Sequence, residues 1–136
     1  MCIRDSHIFI GSLRENLSLA KPDATSEEIE NCLASVDALE WAEALPQGLE
    51  TELGTTGFSL TPAQAQQLAL ARLVLSNPHT LVLDEATALL DPRAARHLER
   101  SMSAVMSGRT VIAIAHRLHT AHDADRVCVV VDGAIA

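Results

Sequence analysis

A single lysine, Lys21, stands in the whole chain of 136 residues, and Pro22 follows it. A phosphate-cradling loop of the Gly-x-x-x-x-Gly-Lys-Ser/Thr kind therefore has no place in the sequence. Cationic residues are scarce altogether: 10 Lys and Arg against 18 Asp and Glu give a net charge of −8. That balance argues against nucleic acid as a partner, because phosphate backbones are held by clustered Lys and Arg. Cysteine is equally sparse. Cys2, Cys32 and Cys128 are too few and too scattered for a disulfide framework or a zinc site, so a reducing, cytoplasmic setting is expected. No apolar run approaches the roughly 18 residues needed to cross a bilayer. The longest runs, 127–131 and 111–115, are strand-length, and the chain reads as soluble.

What is present is apolar enough to bury a core: 48% of residues are hydrophobic, in about one domain's length of chain. The two ends read as cut. Residues 1–6 have no helical or strand logic and resemble an appended, non-native segment, which is set aside as a fusion scar would be. The other end stops at Ala134-Ile135-Ala136, one step past a turn at Asp132-Gly133. The sequence thus reads as an interior fragment of a longer protein.

Residues 7–77 read mainly as helix. Thr25 or Ser26 caps a helix with acids in its first turn, and Ile29, Leu33, Val36 and Leu39/Ala42 recur at helical spacing. Pro46 and Gly48 end that region, and a connector runs through Gly54 and Gly57. A further helix is predicted from Pro62 to Leu75, stopped by Asn77-Pro78. Residues 78–136 alternate: strand at 80–83, helix at 92–106, strand at 110–115, short helix at 118–122, strand at 126–131. This alternation predicts parallel strands joined by right-handed crossovers, a three-stranded piece of an α/β sheet.

Chemistry is expected where Leu81-Val82-Leu83 runs abruptly into Asp84-Glu85. Ligands of parallel sheets bind beyond the carboxyl ends of the strands, and two adjacent carboxylates there can hold a divalent cation and act on a phosphate group. The bland alternative is a solvated pair capping the next helix. His116 follows the apolar run 111–115 in the same way. If the two strands are parallel neighbours, His116 and Glu85 project from one edge, where a histidine can bond a terminal phosphate and orient water; its bland reading is a backbone-bonded histidine. His116, His119 and His122 with Asp123 suggest a zinc site, but no carboxylate or cysteine cluster completes it. Leu60-Thr61-Pro62-Ala63-Gln64 opens the second helix as a capping box. A helix N-terminus also presents N–H groups to an anion, here weakened because Pro62 has none.

Gly54, Gly57 to Gln67, Ala69 to Arg72, Leu81 to Thr87, Asp91 and Ala115 to Leu118, taken in order and spacing, resemble the C-terminal two-thirds of an ABC transporter nucleotide-binding domain. The stretch His7 to Leu17 resembles the exporter type, in which membrane and ATPase domains are usually fused. The similarity covers residues 7–136. It implies a partial P-loop NTPase parallel sheet in 78–136 and the α-helical signature subdomain in 7–77. It further implies that Asp84 reaches Mg²⁺ through water, that Glu85 is the catalytic base, and that His116 contacts the γ-phosphate of ATP. Asp91 would lie in the D-loop that couples the two sites of a dimer. Leu60, Thr61, Ala63 and Gln64 would cap ATP held by a second ABC ATPase domain, in a homo- or heterodimer. A transmembrane domain would be fused upstream, and the setting would be the cytoplasmic face of the plasma (inner) membrane.

The departures from the family are specific. Thr61-Pro62-Ala63 stands where the family has Ser-Gly-Gly, Thr55 replaces an acidic residue, and the lysine-bearing loop, the nucleotide-stacking aromatic and the Q-loop glutamine are missing; Asp5-Ser6 only mimics the last one's neighbourhood. The isolated chain is therefore expected neither to bind ATP tightly nor to hydrolyse it. Retained Glu85 and His116 beside an altered signature would fit one half of a heterodimer with one degenerate site. The rival readings are a non-transport ABC-type ATPase and a non-catalytic dimerising module.

Overall fold

A computed structural model of the chain describes residues 2–3, 7–84, 101–103, 105–114 and 124–136. In chain order its elements are β1 (Cys2–Ile3), β2 (Gly11–Ser12), α1 (Leu13–Ser18), α2 (Ser26–Ser35), α3 (Leu39–Glu43), a 3₁₀ turn (Gly48–Glu50), β3 (Glu52–Leu53), α4 (Pro62–Ser76), β4 (Thr80–Asp84), β5 (Thr110–Ile114), β6 (Val130–Val131) and β7 (Ala134–Ile135). Residues 101–103 and 105–106 are also helical, within the helix expected over 92–106. The short helix expected at 118–122 lies outside the described residues.

Three helices begin with the same device. Ser12 with Glu15, Thr25 with Glu28 and Thr61 with Gln64 each form a capping box: the cap hydroxyl accepts from the third residue's N–H, and that residue's side chain accepts from the cap's N–H. Each box satisfies two of the donors that a helix start leaves open. At the other end of α4, Asn77 closes the helix in the left-handed region (φ 42°), a conformation that asparagine tolerates.

The apolar spacing from Ile29 to Ala42 does not make one helix. α2 stops at Ser35, Asp37 turns left-handed (φ 53°), and α3 starts afresh at Leu39. The break is held from outside, since the Gln67 side-chain amide of α4 donates to the carbonyls of Val36 (3.1 Å) and Asp37 (2.9 Å). Ile29, Leu33, Val36 and Ala42 are buried even so, because α2 packs on α4 while α3 packs on α2 and the 3₁₀ turn.

α4 is the axis of the core. From Leu68 to Leu73 every residue is buried, as expected of a helix covered on all sides. Leu13 and Leu17 from α1, Ile29 and Leu33 from α2, and Leu53 from β3 join it in one cluster. β2 and β3 pair antiparallel (Gly11 with Leu53, Ser12 with Glu52) and carry the chain from the entry of α1 to the loop before α4.

The sheet differs from expectation in its third strand. β4 is central and pairs parallel with β5 on one side and with β1 on the other. Cys2–Ile3 thus does have strand character, aligned with Val82 and Leu83. The strand expected at 126–131 shrinks to β6, outside this sheet. Asp132 (φ 50°) and Gly133 (φ 78°) make a tight two-residue turn that folds β6 back on β7 as a hairpin.

Candidate functional site

The parallel pair β4–β5 defines one candidate edge. Its register runs from Thr80 opposite Thr110 to Asp84 opposite Ile114, so both strands finish level. Adjacent strands lie about 4.8 Å apart, and the chain leaves both at the carboxyl edge, where ligands of parallel sheets collect. The backbone of Asp84 closes β4 there. Glu85, the next residue along, lies outside the described residues, as do Asp91, His116, His119 and His122. The strand arrangement on which the shared edge of Glu85 and His116 depended is present. Among the described residues, no group of three or more His, Cys, Asp or Glu side chains could hold a metal ion.

The second candidate is the start of α4. Leu60 is half-buried, Thr61 and Pro62 are exposed, and Ala63 and Gln64 are partly covered. The first-turn donors are largely spoken for. The Thr61 N–H donates to Gln64 Oε1 (2.9 Å), the Gln64 N–H donates to Thr61 Oγ1 (3.3 Å), and Pro62 has no N–H. Ala63 is left as the first-turn residue whose N–H stands outside the box. The side-chain oxygens of Thr61 and Gln64 each accept from the other residue's N–H.

Between the segment that precedes β2 and the loop before α4 lies an open groove of about 650 Å³. One wall is His7 to Ile10 and the other runs from Gly54 and Thr55 to Phe58, Ser59 and Leu60. Phe9 is 47%, Ile10 75% and Phe58 40% exposed. Three large apolar side chains left facing water around one groove mark a contact surface. The Gly57 backbone sits hard against Glu52: a Cβ there would come within 2.4 Å of the Glu52 carbonyl oxygen, to which the Phe58 N–H already donates at 2.7 Å. Gly57 is thus needed for the close approach that presents Phe58.

The wall at 7–10 is fastened by two buried polar residues that sequence reasoning did not single out individually. Asn16 is fully buried, and Arg72 of α4 is 7% exposed. Asn16 Oδ1 accepts from the Phe9 N–H (3.0 Å), and its Nδ2 donates to the carbonyls of Phe9 (2.9 Å) and Ser12 (3.0 Å). Arg72 donates to the Asn16 carbonyl (2.8 Å), to Asn16 Oδ1 and to the His7 carbonyl (2.6 Å). Its guanidinium also lies 5.3 Å from the centre of the Phe9 ring. Burial pulls the Arg72 pKa below the usual arginine value. The signal available in the sequence was an arginine inside an otherwise apolar helical run, which must find partners once buried.

No protein-family model matches the chain. Individual proteins do. It is 38% identical over 135 residues to a Bacillus subtilis protein named for multidrug export, ATP binding and a permease part, covering 99% of the chain and 23% of that protein. To an ATP-dependent lipid A-core flippase of Chromobacterium violaceum it is 40% identical over 129 residues, covering 95% of the chain and 22% of the flippase. Among solved structures, a bacterial Atm1-family ABC exporter with ATP bound superposes with a TM-score of 0.82 at 35% identity, over 98% of the chain and 23% of that one. Over nearly its whole length, then, the chain is homologous to ABC exporter ATP-binding proteins. It spans between a fifth and a quarter of the length of these two relatives. No helix among the described residues is long and apolar enough to cross a membrane.

Proposed function

We propose that the chain is part of the ATP-hydrolysing subunit of an ABC exporter, coupling ATP binding and hydrolysis to transport across a membrane. The observation that supports this reading is the level, parallel ending of β4 at Asp84 and of β5 at Ile114, the edge at which Glu85 and His116 would act. Glu85 then takes the proton of the attacking water, and His116 bonds the γ-phosphate. Asp84 would hold Mg²⁺ through water, since carboxylate oxygen is the donor type this ion takes; the ion would supply charge neutralisation at the phosphates. Asp91 would link the two sites of a dimer. The subunit would work at the cytoplasmic face of the plasma (inner) membrane. Relatives named for export and flipping make the non-transport and module readings less favoured.

The partner would be a second ABC ATPase domain, and the start of α4 bears on which kind. Leu60, Thr61, Ala63 and Gln64 would face ATP on that partner. Pro62 and the capping box leave few N–H groups for phosphate, so this side serves the weaker of two unequal sites. A heterodimer follows, in which Glu85 belongs to the competent site. The groove walled by Phe9, Ile10 and Phe58 would receive a segment of the membrane-embedded part that the relatives' greater length provides.

In the full-length protein, Glu85→Gln should lower ATP turnover by about 10²–10⁴-fold, the usual worth of a positioned base. Unchanged turnover sinks the catalytic assignment. Replacing Pro62 and Ala63 by glycine should leave the competent site's rate as it was; a strong rise there would contradict the unequal-site reading. The 136-residue chain alone, without a lysine-bearing phosphate loop, should show no steady turnover in a phosphate-release assay.

A further inference from the structure

We draw no further inference here: the strongest candidate, the apolar surface patch on β5 and the β6–β7 hairpin, where Ile112, Ile114, Val130, Val131 and Ile135 are each more than half exposed, is an unpartnered face, and nothing in the structure shows what covers it.

Discussion

The indole N–H of Trp41 donates to Gln67 Oε1 at 3.0 Å, and the amide nitrogen of the same glutamine reaches back to the carbonyls where α2 ends. One side chain of α4 thereby fixes both the end of α2 and the placing of α3. Its two amide atoms are used in opposite senses, one accepting and one donating. Gln67→Glu keeps the acceptor for Trp41 but loses the donors to Val36 and Asp37, and sets a negative charge against their carbonyls. It should destabilise the fold by about 1–3 kcal/mol, the cost of unpaired groups, and at least as much as Gln67→Ala. Urea denaturation followed by Trp41 fluorescence decides this; a glutamate variant as stable as wild type would show that the strut carries nothing.

Cys32 offers a pH-dependent test. Its thiol donates to the Ala71 carbonyl (2.9 Å), and burial raises its pKa from 9.0 to about 12. A raised pKa on an acidic group means that the folded state keeps its proton where the unfolded state has lost it. Stability from this group is complete below pH 9 and falls as pH rises from 9 towards 12, by up to about 1.4 kcal/mol per unit. Cys32→Ala should flatten that slope. At pH 8 a thiol reagent should label exposed Cys128 readily and Cys32 only after unfolding.

Gly57→Ala places a methyl group against the Glu52 carbonyl, whose backbone cannot retreat without disturbing the β2–β3 pair. A cost of about 1–3 kcal/mol is expected, typical of overpacking, with a changed accessibility of Phe58. Gly48→Ala is the useful contrast. Open space surrounds Gly48, so only its positive φ (53°) resists substitution. Comparing the two midpoints separates crowding from backbone strain.

The three capping boxes should each be worth about 1 kcal/mol on substitution of the hydroxyl residue by alanine. Thr25→Ala and Thr61→Ala test this at two exposed starts. Thr61→Ala also frees the Gln64 N–H. If the start of α4 faces phosphate in the assembled protein, that variant should lose stability yet gain, not lose, affinity at the weaker site.

The boxes at Thr25 and Thr61 were legible in the sequence because a cap and its partner lie three residues apart, and helix starts are decided locally. So was the pairing of β4 with β5, which apolar runs of strand length announce. The break at Asp37 was not. Apolar spacing continues smoothly through it, and what breaks the helix is Gln67, thirty residues away. The third strand failed for the same reason: β1 owes its strand character to β4, far along the chain, while 126–131 was captured by its own turn. The Asn16–Arg72 clamp joins residues 56 apart, and only burial makes the bond obligatory. Local chemistry is readable from sequence, whereas partners chosen by tertiary packing are not.

Among the described residues of the buried cluster, all but Leu81, Leu83 and Val105 lie between Leu13 and Leu73. The helical part thus closes its interior within the stretch from Leu13 to Leu73, while the sheet must bring β1 beside β4 from further along the chain. Low contact order means fast folding. A ribosome releasing this stretch would therefore emit a finished helical half while β4 and β5 were still being made, and pulse-labelled hydrogen exchange should find α2 and α4 protected before the strands.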